Sequence, residues 1–570
     1  MSANARVSTV LYAIGEILTI KEDRFRSRAF NLAAQRIVAL TEDIQNIRDR
    51  GELEDIPGVG SSIAAIIEEV LETGGSTLLE EMEASLPPGI RETMRLEGVG
   101  PKTAMRFQKE LGIASIDDLE RAAKEGKIRG LKGFGEKSEA NILEAIEDFR
   151  SRQDRFLFGA ILPVIDQIKE YMAVSDAVLA VEVAGSARRR SETVGDLDIL
   201  VSSLQPDEVA ERFVSMPPVD RVLSKGSTRS TVVMENLLQV DLRVVPPESY
   251  GAALQYFTGS KEHNVKLRTI AVREGFKLNE YGLFKRDTDE IVAGADEKGI
   301  YSALGMDLMP PELRENRGEI EAALAGALPD LVEFGDIKGD FHVHSNWSEG
   351  TASIEGMAEK AMGLGLEYIA ISDHTKSLGI AHGLDEGRLR DQMMEIDRIN
   401  GDLDDFTILK GTECDILSDG GLDLPDSVLK DLDFVIGSIH SAFRQDEETM
   451  TQRMINAIHN DHINAIGHPM GRLIQKRKPY DFDLERVFEA ASEQGVMMEI
   501  NAYPERLDLD DVNCRAAMEQ GVMMVINTDA HAPNQMEFMP LGVSVARRGW
   551  LKAKDVTNTL PLKDLLRILR

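Results

Sequence analysis

Apolar residues in the C-terminal part of the chain gather in seven short runs at roughly thirty-residue intervals: Ile337–Ser345, Leu366–Thr375, Phe406–Ile416, Leu432–Ser441, Ile463–Pro469, Val496–Tyr503 and Val522–His531. Each run has strand length and is followed by a polar, helix-like stretch. Seven strand–helix units in a row predict a barrel. Farther upstream, Val181–Ala184, Ile199–Val201 and Leu238–Leu242 read as strands of a separate α/β segment. The first apolar stretch, Val7–Ile20, is interrupted by Gly15 and Glu16 and has no small-residue cleavage site, so it predicts an amphipathic helix.

The barrel reading changes what the histidines mean. Nine of the ten lie after residue 340, and six of those stand at the ends of the apolar runs. In barrels of this kind the chemistry collects at the C-terminal ends of the strands. There the chain places His342, His344, His374, Glu413, His440, His468, Asp529 and His531, with Glu349 just beyond the first run. Residues i and i+2 of a strand share a face, so His342-x-His344 and Asp529-x-His531 are expected to act as chelating arms. Imidazoles mixed with carboxylates suit a two- or three-metal cluster of manganese or zinc. His382, His459 and His462 fall outside the pattern and read as surface residues.

Composition sets bounds on these readings. A chain of 570 residues divides into several domains. Two cysteines, Cys414 and Cys514, make no disulfide framework, which points to a cytoplasmic protein, and strand alternation turns Cys414 away from the face of Glu413. No segment reads as a membrane span. The net charge of −33 runs against a nucleic-acid partner. Its distribution matters more than its sum, because basic residues cluster at Arg24, Arg26 and Arg28, at Arg188–Arg190 and at Gln475–Lys478. Read alone, these clusters fit solvated faces as well as phosphate contacts.

A triplicated signal near the N-terminus favours phosphate contacts. Ile56-Pro57-Gly58-Val59-Gly60, Leu96-Glu97-Gly98-Val99-Gly100 and Leu131-Lys132-Gly133-Phe134-Gly135 each precede an amphipathic helix. A Gly-x-Gly turn lets backbone approach a phosphate, and the helix that follows offers free N–H groups. Three such hairpins in one region predict sequence-independent DNA binding.

The middle segment carries a second carboxylate set. Asp196 and Asp198 lie two residues apart on one strand, and Asp241 sits on a candidate neighbour. Together they could hold two magnesium ions for in-line phosphoryl transfer. Gly185-Ser186 with Arg188 and Arg189 follows the strand Val181–Ala184, a turn suited to triphosphate oxygens.

These residues, with Tyr256-Phe257-Thr258-Gly259-Ser260, resemble family X DNA polymerases, and the whole chain is similar to their bacterial and archaeal members with a C-terminal PHP domain. The resemblance implies a multidomain fold: helical helix-hairpin-helix domains at the N-terminus, an α/β nucleotidyltransferase palm with an α+β thumb, and a C-terminal (β/α)7 PHP barrel. It orders the chain as a helical DNA-binding domain over 1–90, a second helix-hairpin-helix domain over 91–150, palm over 151–250, thumb over 251–315, linker over 316–335 and PHP domain over 336–570. It implies Asp196, Asp198 and Asp241 as palm metal ligands. Gly185, Ser186, Arg189 and Gly259 would sit at the nucleotide, Tyr256 and Phe257 at its sugar, and Asn264 and Arg268 near the minor-groove edge of the new pair. The implied activity is gap filling in DNA repair with a PHP-dependent 3′–5′ exonuclease, on gapped or primed DNA with dNTPs, by a monomer associated with the nucleoid.

Departures from the family pattern carry information too. The helix after the first hairpin reads Ser61-Ser62-Ile63-Ala64-Ala65-Ile66, without the Schiff-base lysine of the beta-type relatives, and Lys21 is the only lysine among the first hundred residues. Imine chemistry needs an unprotonated amine, so lyase activity is not expected there. Lys261 replaces an acidic residue after Thr258-Gly259-Ser260, and Glu349 replaces the usual aspartate. Two other functions compete with this one. One is a PHP phosphoesterase tethered to DNA by a non-catalytic polymerase-like half, which the intact carboxylate triad opposes. The other is a non-catalytic scaffold, which would bury unpaired acids at high cost.

Overall fold

The computed structural model describes residues 3–569 except 22, 39–43, 57, 74, 85–89, 94, 95, 97, 98, 100 and 154. The chain forms two compact units that divide next to residue 154.

The N-terminal unit is helical. Its first helix, Ala3–Ile20, buries Val7, Leu11, Ile14 and Leu18, a spacing of three and four residues that places them on one stripe. They share a core with Ala33, Ile37, Ile63 and Ile67 from the helices Arg24–Val38 and Ser61–Thr73. A second small core gathers Phe107, Leu119 and Ile146 from the helices Pro101–Leu111, Ile116–Lys124 and Glu136–Gln153 with Ile128 from the connection between the last two.

The second unit holds two sheets that matter for chemistry. The palm sheet has the order Ala180–Val183, Leu197–Ser202, Gln239–Val245, Arg229–Met234, Val219–Lys225. Its central pair, Leu197–Ser202 and Gln239–Val245, is parallel, and the other pairs are antiparallel. Beyond it, the helices Tyr250–Thr258 and Lys261–Arg273 and a three-stranded antiparallel sheet enclose Leu267, Leu283, Ile300 and Tyr301. The stretch expected to be a linker does not run free. Its helix Glu319–Leu324 buries Ile320 and Ala323 in the same core, because its apolar residues fall at i and i+3.

All seven C-terminal runs form strands, Gly339–Val343, Tyr368–Ile371, Thr407–Asp415, Phe434–Ser438, Ala465–Ile466, Met497–Asn501 and Met524–Asn527, joined in sequence order and all parallel. A bridge between Val343 and Ala530, with His344 N donating to Ala530 O at 2.9 Å, nearly closes the barrel. The register slips between Asp340 and Val343, a bulge in the first strand. It lets two consecutive residues reach across the barrel. Phe341 stacks on Phe434 with ring centres 4.3 Å apart, and His342 reaches Glu413 and Glu499.

One apolar cluster runs from the palm helix Phe158–Ala173 into the barrel. At Gly159 the fit is tight enough that a Cβ would come within 2.9 Å of both Leu541 and Pro504 side chains. Polar contacts rim this seam. Arg472 Nη2 lies 2.7 Å from Glu192 Oε2, Arg190 Nη1 donates to Ser544 Oγ at 3.0 Å, and Arg547 Nε lies 2.9 Å from Glu312 Oε1.

Candidate functional sites

Asp198 and Asp241 are register partners on the two parallel palm strands, and Asp196 immediately precedes the first of those strands. Asp241 is buried and accepts from Thr231 Oγ1 at 2.5 Å and Gln239 Nε2 at 2.9 Å. Burial, followed by the nearby Asp196 and Asp241 charges, pushes Asp198 up to about 6. A cation beside Asp198 would reverse that penalty, since its charge favours the ionised carboxylate.

Gly185 shows why this corner needs glycine. Its φ is +62°, and a Cβ would lie 2.8 Å from Asp198 Oδ2. The short helical turn Gly185–Arg188 follows, with Ser186 half-buried. The two adjacent arginines are both engaged in ion pairs. Arg188 forks onto Glu297 at 3.0 and 2.7 Å, while Arg189 lies 2.9 Å from Glu315 Oε1 and donates to Thr258 O at 2.6 Å. Glu297 also meets the fully buried Arg314 at 2.5 Å. Burial opposes its charge, yet Arg314 and Arg188 hold Glu297 down at about 2.

Tyr256 and Phe257 contact edge to face at 5.2 Å, with Arg268 over the first ring and Arg243 over the second. Asn264 is held at both ends, donating to Tyr256 O at 2.7 Å and accepting from Gln255 Nε2 at 2.7 Å. Gly259 has a φ of +69° and ends the helix Tyr250–Thr258. Ser260 then caps the next helix by accepting from His263 N at 3.2 Å, leaving Lys261 exposed in its first turn.

The barrel mouth brings all nine candidate ligands together. Glu413 is the hub: its Oε2 lies 2.8 Å from His374 Nδ1 and 3.3 Å from His342 Nε2, and its Oε1 lies 3.0 Å from His468 Nε2 and 3.3 Å from His440 Nε2. Asp529 Oδ1 lies 3.3 Å from His344 Nε2. Glu349 Oε1 lies 3.1 Å from His374 Nε2 and 3.0 Å from His531 Nε2, so the longer side chain standing in for aspartate reaches the cluster. Three groups bring ligand atoms within 4.8 Å of one another: His344, His374 and His531; His342, His344 and Asp529; His374, Glu413 and His440.

Both pairs reach the cluster, but strand alternation accounts for only one of them. His342 and His344 do share a face, their rings 5.0 Å apart. Strand geometry stops at Asn527, however, and Asp529 has a φ of +54°, so a left-handed turn, not strand alternation, brings Asp529 and His531 inward.

The donor set fits divalent metal. Buried His342 Nε2, His344 Nε2, His374 Nδ1 and Glu413 Oε2 approach one another or Asp529 without hydrogen-bond geometry among the described residues, an arrangement that a cation bound by those atoms would satisfy. Electrostatics point the same way. Burial opposes charge on His342 and His374, yet Glu499 and Glu413 raise the first well above its ordinary range, and Glu413 and Glu349 lift the second to about 10. A negative potential that draws protons onto imidazoles also draws cations. His344, buried and beside His531 and His374, falls to about 3 and stays neutral.

Several residues that support the cluster stand outside the pattern of strand-end ligands. Glu499 accepts from Asn527 Nδ2 at 3.0 Å and lies 2.7 Å from His342 Nδ1, while Asp415 lies 2.9 Å from His440 Nδ1. Both had a signal: Glu499 interrupts the run Val496-Met497-Met498, and Asp415 lies two residues from Glu413. Arg506, 3.4 Å from Asp529 Oδ2 and with a buried, unpartnered Nη1, had none.

In the N-terminal unit, Gly58 and Gly133 have φ of +94° and +90°, and both hairpins expose Gly60 and Gly135. Gly98 and Gly100 lie outside the described residues. All three turns repeat one hydrogen bond, Val59 N to Ile56 O at 2.9 Å, Val99 N to Leu96 O at 3.1 Å and Phe134 N to Leu131 O at 3.0 Å. They differ in charge. The helices Ser61–Thr73 and Pro101–Leu111 have no acid in the first turn, whereas Glu136 and Glu139 stand at the start of the third.

Comparison with known proteins agrees with this geometry. Residues 2–76 match a helix-hairpin-helix domain, 90–148 a SAM-like helix-hairpin-helix tandem, 253–315 the DNA polymerase beta thumb and 340–503 the PHP domain. The chain is 38% identical over 564 residues to the DNA polymerase/3′-5′ exonuclease PolX of Bacillus subtilis strain 168, covering 98% of each. It is 26% identical over 342 residues to DNA polymerase lambda of Rattus norvegicus, 55% of this chain and 56% of that one. A probable phosphatase of Caldanaerobacter subterraneus subsp. tengcongensis is 36% identical over 168 residues, 28% of this chain and 61% of that one. The chain belongs to the family X DNA polymerases that carry a C-terminal PHP domain. Within them it is a relative of the PolX of Bacillus subtilis along nearly its full length.

Proposed function

We infer that the chain is a DNA-directed DNA polymerase that fills short gaps during repair and carries a metal-dependent 3′–5′ exonuclease in its PHP domain. The observation that carries this is the coexistence of two complete acidic sites in one chain, Asp198 opposite Asp241 in the palm and the Glu413-centred cluster in the barrel. The intact palm carboxylates speak against a merely tethering front half.

In the palm, Asp196, Asp198 and Asp241 would hold magnesium; in the barrel, His342, His344, Glu349, His374, Glu413, His440, His468, Asp529 and His531 would hold manganese or zinc. A divalent cation at either place supplies Lewis-acid stabilisation of charge on phosphate oxygens. The chain's own residues do the rest. Ser186 and Arg189 orient the triphosphate beside Gly185, whose missing side chain keeps that corner open. Tyr256 and Phe257 wall the sugar, and Asn264, fixed by Gln255, offers a rigid edge to the base pair. The Gly58, Gly98 and Gly133 turns, with Gly60, Gly100 and Gly135, grip the DNA backbone. Both sites are complete within one chain, which supports a monomer. Two buried thiols without a disulfide support a cytoplasmic protein, and DNA as substrate supports its association with the nucleoid.

The test is primer extension and primer degradation on the same gapped DNA, with magnesium and manganese compared. Extension that requires the palm carboxylates and shortening that requires the barrel histidines support the assignment; either activity surviving loss of its own site overturns it.

A further inference from the structure

The barrel domain reaches the nucleotide-binding corner of the palm through Arg548, the last residue of the helix Met539–Arg548. Its Nη1 donates to the backbone carbonyl of Arg189 at 2.8 Å and lies 3.0 Å from Glu315 Oε1. Arg189 Nε approaches that same oxygen at 2.9 Å. Arg548 Nη2 lies 2.8 Å from Asp511 Oδ2, which also meets Arg317 at 2.9 Å. The side chains of Arg189, Glu315, Arg548 and Asp511 are each no more than 17% exposed, so water screens them weakly.

The charges of this chain of ion pairs do not cancel. Three guanidiniums face two carboxylates, and Arg189, at one end of this chain, directly follows the turn that carries Ser186. Without Arg548, Glu315 would belong to Arg189 alone and neutralise it, and the Arg189 carbonyl would lose its donor.

We propose that Arg548 is a positioning residue for polymerisation: by sharing Glu315 and holding the Arg189 carbonyl, the PHP domain sets the affinity of the palm for the triphosphate of an incoming nucleotide. This rests on the reading of Arg189 as a triphosphate ligand. It adds to that reading a second role for the barrel domain, separate from its own metal cluster.

The experiment measures KM and kcat for a dNTP on single-nucleotide gapped DNA, using the full chain. Arg548→Ala is expected to raise KM about tenfold, the order set by one elementary charge several ångströms from a phosphate in a partly screened site. Its kcat and its 3′–5′ degradation stay near wild type, and Arg548→Lys recovers part of the loss. Glu315→Gln, which frees Arg189, is expected to lower KM, and the Arg548→Ala/Glu315→Gln double variant to return towards wild type. A merely structural seam would instead make both single changes harmful and their combination worse. Arg189→Ala separates the two levels of argument. If it leaves KM unchanged, the triphosphate reading fails; if it raises KM while Arg548→Ala does not, the present inference is overturned. Should Arg548→Ala melt too early to assay, Glu315→Gln alone decides, a KM equal to or above wild type overturning the proposal.

Discussion

His342 Nδ1 stands 2.7 Å from Oε1 of Glu499, both side chains fully buried. The contact fixes the ring so that Nε2 faces Glu413 and Asp529. A carboxylate behind an imidazole orients it and raises its basicity as a ligand. Glu499→Gln should therefore lower metal content and 3′–5′ nuclease activity by about ten- to a hundredfold while sparing nucleotide addition. The double change of His342 and His344 to Ala should remove both metal and nuclease activity. Elemental analysis alongside both activities on one primed template checks this; a double variant that keeps its metal and still shortens primers would remove the barrel assignment.

The palm gives the reciprocal result. Asp198→Ala or Asp241→Ala is expected to cut nucleotide addition by about a hundred- to a thousandfold, the scale of losing one preorganised electrostatic group. Degradation from the 3′ end should persist at near wild-type rate. Extension at the normal rate by either variant would refute the site.

Acid stability has a definite sign here. Glu297 has a folded value of about 2 against an ordinary 4.5, so its pairs with Arg314 and Arg188 stabilise the fold fully above pH 4.5. That contribution is lost as the pH falls from 4.5 through 2. Glu297→Gln leaves Arg314 buried without its counter-charge and should cost about 3–5 kcal/mol at neutral pH. It should also flatten the fall in stability between pH 4.5 and 2. Denaturant melts of both proteins across that range test it, and parallel curves would show that Glu297 does not titrate as described.

DNA binding should weaken steeply with salt, since hairpin backbone and basic side chains replace counterions on phosphate. The first hairpin, followed by Ser61 and Ser62, should contribute more than the third, where Glu136 meets the phosphate. Replacing Gly58 with Val, strained at a φ of +94°, is expected to weaken binding to gapped DNA several-fold more than Lys132→Ala beside the third turn. Fluorescence anisotropy at a series of salt concentrations distinguishes these outcomes. A salt-independent affinity would count against phosphate contact by the hairpins.

Much of this architecture was legible because burial writes itself as periodicity. Each barrel strand lies inside its apolar run, and the histidines fall where strands end. Sequence spacing was less informative where local backbone departs from regular geometry. The bulge at Phe341 and His342 sends neighbours to one side, and the positive φ of Asp529 replaces the alternation that Asp529-x-His531 implied. Arg506 and Arg548 were silent, since an arginine in a loop or at a helix end reads as surface until tertiary contacts bury it. Glu315, the partner of Arg189, comes from a distant stretch of chain that no pattern joins to it.

The seam from Gly159 to Leu541, closed by Arg472 with Glu192 and Arg190 with Ser544, also governs traffic. The palm and the barrel share one packed unit, so a primer terminus that passed between their sites with this seam intact would do so by the duplex relocating. The choice between adding and removing a nucleotide then becomes a kinetic partition. It is set by how long each mouth retains an end, and competing free DNA ends would shift it without altering either chemistry.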